Sequence, residues 1–286
     1  MTTSFLRGGT AVITGAGSGF GLELARLAAA SGMRLVLADI QADALERAAA
    51  ELRAQGAEVW AQQVDVSRAQ ELEHLAEGTL TRFGAPHLVF NNAGVATGGL
   101  IWEASTRDWE WVLGVNLMGV VHGVRVFTPM MLEAARRDPQ YRGHMVNTAS
   151  MAGLVNAPNM GVYNVSKHAV VSLSETLYHD LSLVTEQVRC SVLCPYFVPT
   201  GTRANPFEYL DKLPWIPQFN IQYQVGVDGL SLPMVVLTAL LMVNTAQAEV
   251  PVEVPSAIEV RPTSPELNSD FSFVPATELK GGFHFP

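Results

Sequence analysis

The amino-acid sequence predicts an α/β protein, a doubly wound parallel sheet with helices on both faces. Three observations lead there. Short apolar, β-branched runs alternate with longer helical patterns through the first two hundred or so residues, the succession that builds βαβ units. Those runs are apolar almost throughout, as strands are when helices cover both faces of a sheet. A chain of 286 residues with 48% hydrophobic content is also long enough to bury a core on each face.

The strands read in order as Thr10–Thr14, Leu35–Ala38, Glu58–Gln63, Leu88–Phe90, His144–Thr148 and Arg189–Leu193. Between the first three, Gly21–Ser31 and Ala42–Gln55 carry Ala, Leu, Glu and Arg at helical spacing. Trp109–Phe127 is a helical stretch, and the helices around Trp109–Glu133 and Tyr163–Thr185 carry apolar residues beyond one stripe. Composition shifts near Ala204, after which Pro recurs and Ala thins out. Ile221–Val227 alternates like a strand and runs into the turn signal Asp228-Gly229. Val252–Val260 also reads as extended, and Pro262–Pro286 as irregular surface structure.

Composition narrows the function. A formal net charge of −9 and a pI near 5.2 speak against nucleic-acid binding, which needs a basic face. High apolar content speaks against disorder. Two cysteines make no disulfide framework and suit a reducing, cytoplasmic compartment. Cys190 and Cys194, on one strand, would stand about 13 Å apart, too far for a bridge. The longest apolar run, Leu232–Val243, falls short of the roughly 20 residues of a membrane span. The seven histidines are scattered without a metal-ligating pattern, so no metal is expected.

The first chemical signal is Thr14-Gly15-Ala16-Gly17-Ser18-Gly19-Phe20-Gly21. It follows a strand and opens a helix, where glycines let the backbone approach a pyrophosphate and the helix N-terminus offers free N–H groups. Alone, such a turn is equally a structural loop. Asp39 adds to it. Placed at the end of the second strand, 20 residues after Gly19, its carboxylate can accept the hydroxyls of an adenosine ribose and would repel a 2′-phosphate. This points to NAD rather than NADP, the alternative being that Asp39 caps the helix that follows.

The second signal is Tyr163-Asn164-Val165-Ser166-Lys167. Residues four apart on a helix share a face. A free phenol titrates near pH 10, and a fixed cation beside one favours phenolate, a usable acid or base. Ser150 lies 13 residues before Tyr163, at the end of a strand. Asn116 sits inside a helical stretch, an unfavourable place for Asn unless its amide is used.

Together these residues resemble the classical short-chain dehydrogenase/reductase family. Thr14–Gly21 matches its TGxxxGxG motif and Asn91-Asn92-Ala93-Gly94 its NNAG. Asn116, Ser150, Tyr163 and Lys167 fall where that family carries its catalytic tetrad. The resemblance covers residues 8 to 200. It implies that Ser150 holds the substrate oxygen, Tyr163 moves the proton, Lys167 binds the nicotinamide ribose, and Asn116 holds a water in the proton relay. It further implies that Gly15, Ser18, Gly19, Phe20, Gly21, Asp39, Asp65, Val66, Asn92, Gly94, Tyr163, Lys167, Pro195, Val198 and Thr200 bind NAD. A homodimer or homotetramer is expected, because the corresponding helices pair across a two-fold axis in the family.

One departure is Tyr196, which stands where the family has Gly after Pro195; it either narrows the pocket or faces the core. The other is the Pro-rich end. The chain is expected to form one Rossmann-type catalytic domain, with a core at 8–200, a substrate-covering segment at 201–250 and an extension at 251–286. The covering segment contains Phe207, Tyr209, Leu210, Leu213, Trp215, Ile216, Phe219 and Tyr223, with Arg203 and Lys212 as its cations. That predicts a hydrophobic secondary alcohol or ketone, aromatic or cyclic, rather than a charged acid. Trp102, Trp109 and Trp111 read as core and interface residues. The rival reading is a nucleotide-sensing or regulatory protein on the same fold.

Overall fold

The computed structural model describes residues 6–195, together with the backbone of Asp211–Ile216 and Ile221–Val225. Six strands, β1 (Thr10–Thr14), β2 (Arg34–Asp39), β3 (Val59–Gln63), β4 (Leu88–Asn91), β5 (Gly143–Thr148) and β6 (Val188–Leu193), form one sheet in the order β3-β2-β1-β4-β5-β6. Every neighbouring pair is parallel. The expected strands are all present, within a residue or two of their predicted ends.

Alternation along the strands divides the core. Val12 and Val36 face one cluster with Leu72, Leu75, Phe127 and Met131. Ile13, Leu35 and Leu37 face another with Leu24, Leu45 and Leu52. The first layer comprises α3 (Ala69–Phe83), α5 (Gly119–Arg137) and α6 (Gly161–Val184); the second comprises α1 (Gly19–Ala30) and α2 (Ala42–Ala54). Strands buried on both faces have no polar side to show, which explains their continuous apolarity.

The predicted helix over Trp109–Phe127 requires a correction. It comprises α4 (Thr106–Leu113), a π-helical turn at Gly114–Met118, and α5. A Ser105–Asp108 capping box starts α4, and the wider turn falls on Asn116. By length and composition Thr106–Arg137 is apolar enough to cross a membrane. Here Val112, Val120, Phe127 and Met131 on it are buried, and the last two join the core beneath the sheet.

Past the sheet, β7 (Asp211–Ile216) and β8 (Ile221–Val225) pair antiparallel. The second matches the alternation read at Ile221–Val227. The first was missed because it contains Pro214; the pairing register shifts between Pro214 and Ile216, as expected for a residue without an N–H. Val198, Thr200, Tyr196 and the extended stretch at Val252–Val260 lie outside the described residues.

Candidate active site

The strand order reverses between β1 and β4, and a crevice opens at the carboxyl ends of strands at such a switch point. A cavity of about 920 Å³ lies there. Thr14, the last residue of β1, holds the two halves together. Its Oγ1 accepts from Asn92 N at 2.9 Å and Ala93 N at 3.2 Å, while its carbonyl accepts from Asn92 Nδ2 at 3.0 Å.

The glycine turn is built by exclusion. Gly15 has φ +66° and Gly19 φ +53°, in the left-handed region. At Gly21 a Cβ would stand 2.0 Å from the Gly15 carbonyl oxygen, so no side chain fits. Helix α1 then begins at Gly19 without a side-chain cap from Ser18, leaving first-turn N–H groups for an anion. At the end of β2, Asp39 ties down the backbone on both sides of it and still faces the cavity. Its Oδ2 accepts from Gly17 N and its Oδ1 from Gln41 N, each at 2.9 Å, and it lines the cavity. Asp65 and Val66 line the same end; Ser67 N and Oγ hold the Asp65 carboxylate at 3.0 and 2.7 Å.

At the other end stand Ser150, Tyr163, Lys167 and Pro195. Ser150 Oγ accepts from Ala152 N at 3.1 Å and donates to Pro195 O at 3.4 Å. Lys167 is buried, with Nζ 5.6 Å from the Tyr163 ring centroid. One of its three donors goes to Thr148 O at 2.9 Å; no other described residue accepts from it. Burial pushes its pKa down to about 8, with the nearby Cys194 thiol acting in the opposite direction.

That depression sets a pH dependence. The ammonium is disfavoured in the fold relative to the unfolded chain, whose lysines titrate near 10.4. The cost is fully present below about pH 8 and is relieved as pH rises through the window up to about 10.5. Denaturant unfolding of the cofactor-free protein should therefore show wild type gaining roughly 3 kcal/mol over Lys167→Met between those pH values. Parallel pH profiles would contradict the burial cost.

Asn116 does not line the cavity; it lies beneath it, fully buried. Its Oδ1 accepts from Val95 N at 2.8 Å, and its Nδ2 donates to Val95 O at 2.9 Å and Ser166 Oγ at 3.0 Å. Ser166 Oγ in turn donates to Tyr163 O at 2.7 Å. Both amide hydrogens are thus used in positioning, so the amide could hold a relay water only through the second lone pair of Oδ1. Gly94 completes the packing: a Cβ there would lie 3.5 Å from both Asn116 Oδ1 and Lys167 Nζ.

The family model for short chain dehydrogenases matches residues 9–210. The chain belongs to the short-chain dehydrogenase family. Among its relatives, a "CLA biosynthesis dehydrogenase/reductase" of Lactiplantibacillus plantarum is 38% identical over 66% of this chain and 64% of its own length. A "1-deoxy-11-beta-hydroxypentalenate dehydrogenase" of Streptomyces exfoliatus is 39% identical over 66% of this chain and 67% of its own. A solved short-chain dehydrogenase from Burkholderia phymatum, in complex with NAD, is 56% identical over 68% of each chain, with a TM-score of 0.66. This chain therefore spans a little under two thirds of the first relative.

Within this short-chain dehydrogenase, Gly15, Ser18, Phe20, Asp39, Asp65, Val66, Asn92, Gly94, Ser150, Tyr163, Lys167 and Pro195 share one cavity. Gly19 and Gly21 shape the turn without lining it. Sequence reasoning missed Thr14 and Ser166 as positioning residues; a serine buried in mid-helix was the available signal for the second. Of the tryptophans read as core and interface residues, two are not core. Trp102 is 76% and Trp111 49% exposed, so neither is core, and Trp111 lines the cavity.

Proposed function

We propose that this chain is an NAD-dependent oxidoreductase that interconverts a hydrophobic secondary alcohol and its ketone. The observation that carries the reading is the spatial one. Tyr163, Lys167 and Ser150 meet at one end of a cavity whose other end holds a carboxylate, Asp39, beside a glycine turn. The residues suit a dinucleotide: the turn excludes side chains where a pyrophosphate must approach, and Lys167 has donors that no described residue uses. Bound there, NAD supplies the hydride acceptor.

The chain's own groups do the rest. Ser150 Oγ holds the substrate oxygen. Tyr163 Oη takes the hydroxyl proton as the carbinol carbon is oxidised to a carbonyl, and returns it in the reverse direction. Lys167 favours the phenolate and holds the nicotinamide ribose, while Asn116 and Ser166 keep Tyr163 in register through its backbone. The full chain acts as one domain in a reducing, cytoplasmic setting. It works as a homodimer or homotetramer, supported by exposed apolar side chains on the outer helices: Met118, Val165, Leu183 and Val184. Light scattering should give a mass at least twice the 30.9 kDa of the chain.

The substrate reading has support in the described half of the pocket. Met151, Val155, Ala157 and Met160 line it, and Lys167 is the one Lys or Arg among the described lining residues; with that ammonium committed to the nicotinamide ribose, a carboxylate or phosphate would lack an Arg or Lys partner. The side chains from Phe207 to Tyr223 on which the sequence expectation rested lie outside the described residues. The test is NAD reduction, followed by absorbance, with an aryl alkyl carbinol, a short diol and a hydroxy acid. The carbinol should have the highest kcat/KM. Preference for the hydroxy acid would overturn the substrate class, and ADP-ribose binding without any turnover would favour the nucleotide sensor.

A further inference from the structure

One large side chain in the cavity belongs neither to the glycine turn nor to the proton-transfer group. Trp111 lines it with about half its surface open. Its place on α4 decides which half of the cavity it serves. Trp111 and Val115 are four residues apart, about one turn, and both line the cavity. Val115 packs against the core cluster that holds Val64 and Val66. Beside it, a Cβ on Gly114 would stand 3.4 Å from Ser67 Cβ, and one on Gly119 would stand 2.8 Å from Val66 Cγ2. The edge of the helix that carries Trp111 therefore runs along the Asp65–Ser67 turn at the end of β3. That turn lies beyond β2 and Asp39, away from β5 and Ser150.

We propose that Trp111 is the aromatic platform for the adenine of the cofactor, acting with the apolar side chains of Ile40 and Val66 at the adenosine end. This rests on reading the cavity as a dinucleotide site with its ribose at Asp39. Ile40 and Val66 give a base apolar contact but no π face, whereas an indole gives both. Stacking of a base on an aromatic ring, at about 1–3 kcal/mol, corresponds to roughly a five- to 150-fold change in affinity. With half the ring open to water, the lower part of that range applies.

The experiment is calorimetric titration of the cofactor-free full chain with ADP-ribose, which carries the adenine but cannot react. Trp111→Ala should weaken binding roughly five- to thirtyfold, and Trp111→Phe should stay within about threefold of wild type because a ring remains. Tryptophan emission should be quenched by ADP-ribose in wild type, and most of that quench should be lost in Trp111→Phe. KM for the alcohol at saturating NAD should not move. Wild-type ADP-ribose affinity in Trp111→Ala would overturn the assignment. A raised alcohol KM at unchanged ADP-ribose affinity would overturn it too, placing the indole on the substrate side. If wild type itself fails to bind ADP-ribose, the dinucleotide reading falls and this inference with it; failure of the variant comparison alone leaves that reading standing.

Discussion

Tyr163→Phe is expected to lower kcat by at least ~10²–10⁴-fold, the usual contribution of a positioned acid/base, while leaving ADP-ribose affinity within about twofold. The change removes one oxygen and keeps the ring. Lys167 Nζ sits 5.6 Å from that ring centroid, within cation–π range. The ammonium is also held by Thr148 O, so it should keep its place. Helix α6 is fixed at this point by backbone and by the Ser166–Asn116 bonds, none of which involves the phenol. Loss of turnover without loss of nucleotide binding therefore isolates the proton step. A variant that retained most of its activity would remove Tyr163 from the mechanism, and one that lost ADP-ribose binding as well would mean that the phenol holds the cofactor site together.

The second large effect is on cofactor choice. Replacing Asp39 with Ala and Ile40 with Arg should shift the ratio of kcat/KM for NADP over NAD by about 10²-fold or more, since a like charge against a phosphate costs several kcal/mol and the new guanidinium can pair with it. The structure adds a refinement. Asp39 also accepts from the backbone of Gly17 and Gln41, and Gly17 is packed so closely that a Cβ would lie 3.0 Å from the carboxylate. Losing the carboxylate will loosen the glycine turn, so kcat/KM with NAD should fall by more than the missing ribose bonds alone would explain. The discriminating quantity is kcat/KM with NADP, which must rise in absolute value. A wild-type protein that already worked better with NADP would reduce Asp39 to a residue that ties down the turn.

Much of this molecule is legible from residues close together in the chain. The six strands were read within a residue or two because a strand buried on both faces declares itself in four to six consecutive side chains. The glycine turn was readable for the same reason: positive φ at Gly15 and Gly19 and the contact of Gly21 with Gly15 are demands made within one turn. The Tyr163–Lys167 pair needs only the helical repeat. What the sequence by itself determined, then, was the sheet, its glycine turn and the pairing of Tyr163 with Lys167 on one helix.

Packing decided the rest. Asn116 was singled out as an oddity in a helix, but its use became visible only when Ser166, 50 residues away, and Val95 were brought to it; the π turn falls on this same residue. Thr14 joins two strands across 78 residues of chain, and nothing in its local pattern says so. The titration of Lys167 is lowered by burial, to which segments remote from it in sequence contribute. Trp111 read as a core or interface aromatic, and only the fold showed it half bare in the cavity that Val115 also lines. Periodicity and turn chemistry are properties of neighbouring residues, whereas burial and hydrogen-bond partnership depend on which distant segments the collapsed chain brings into contact.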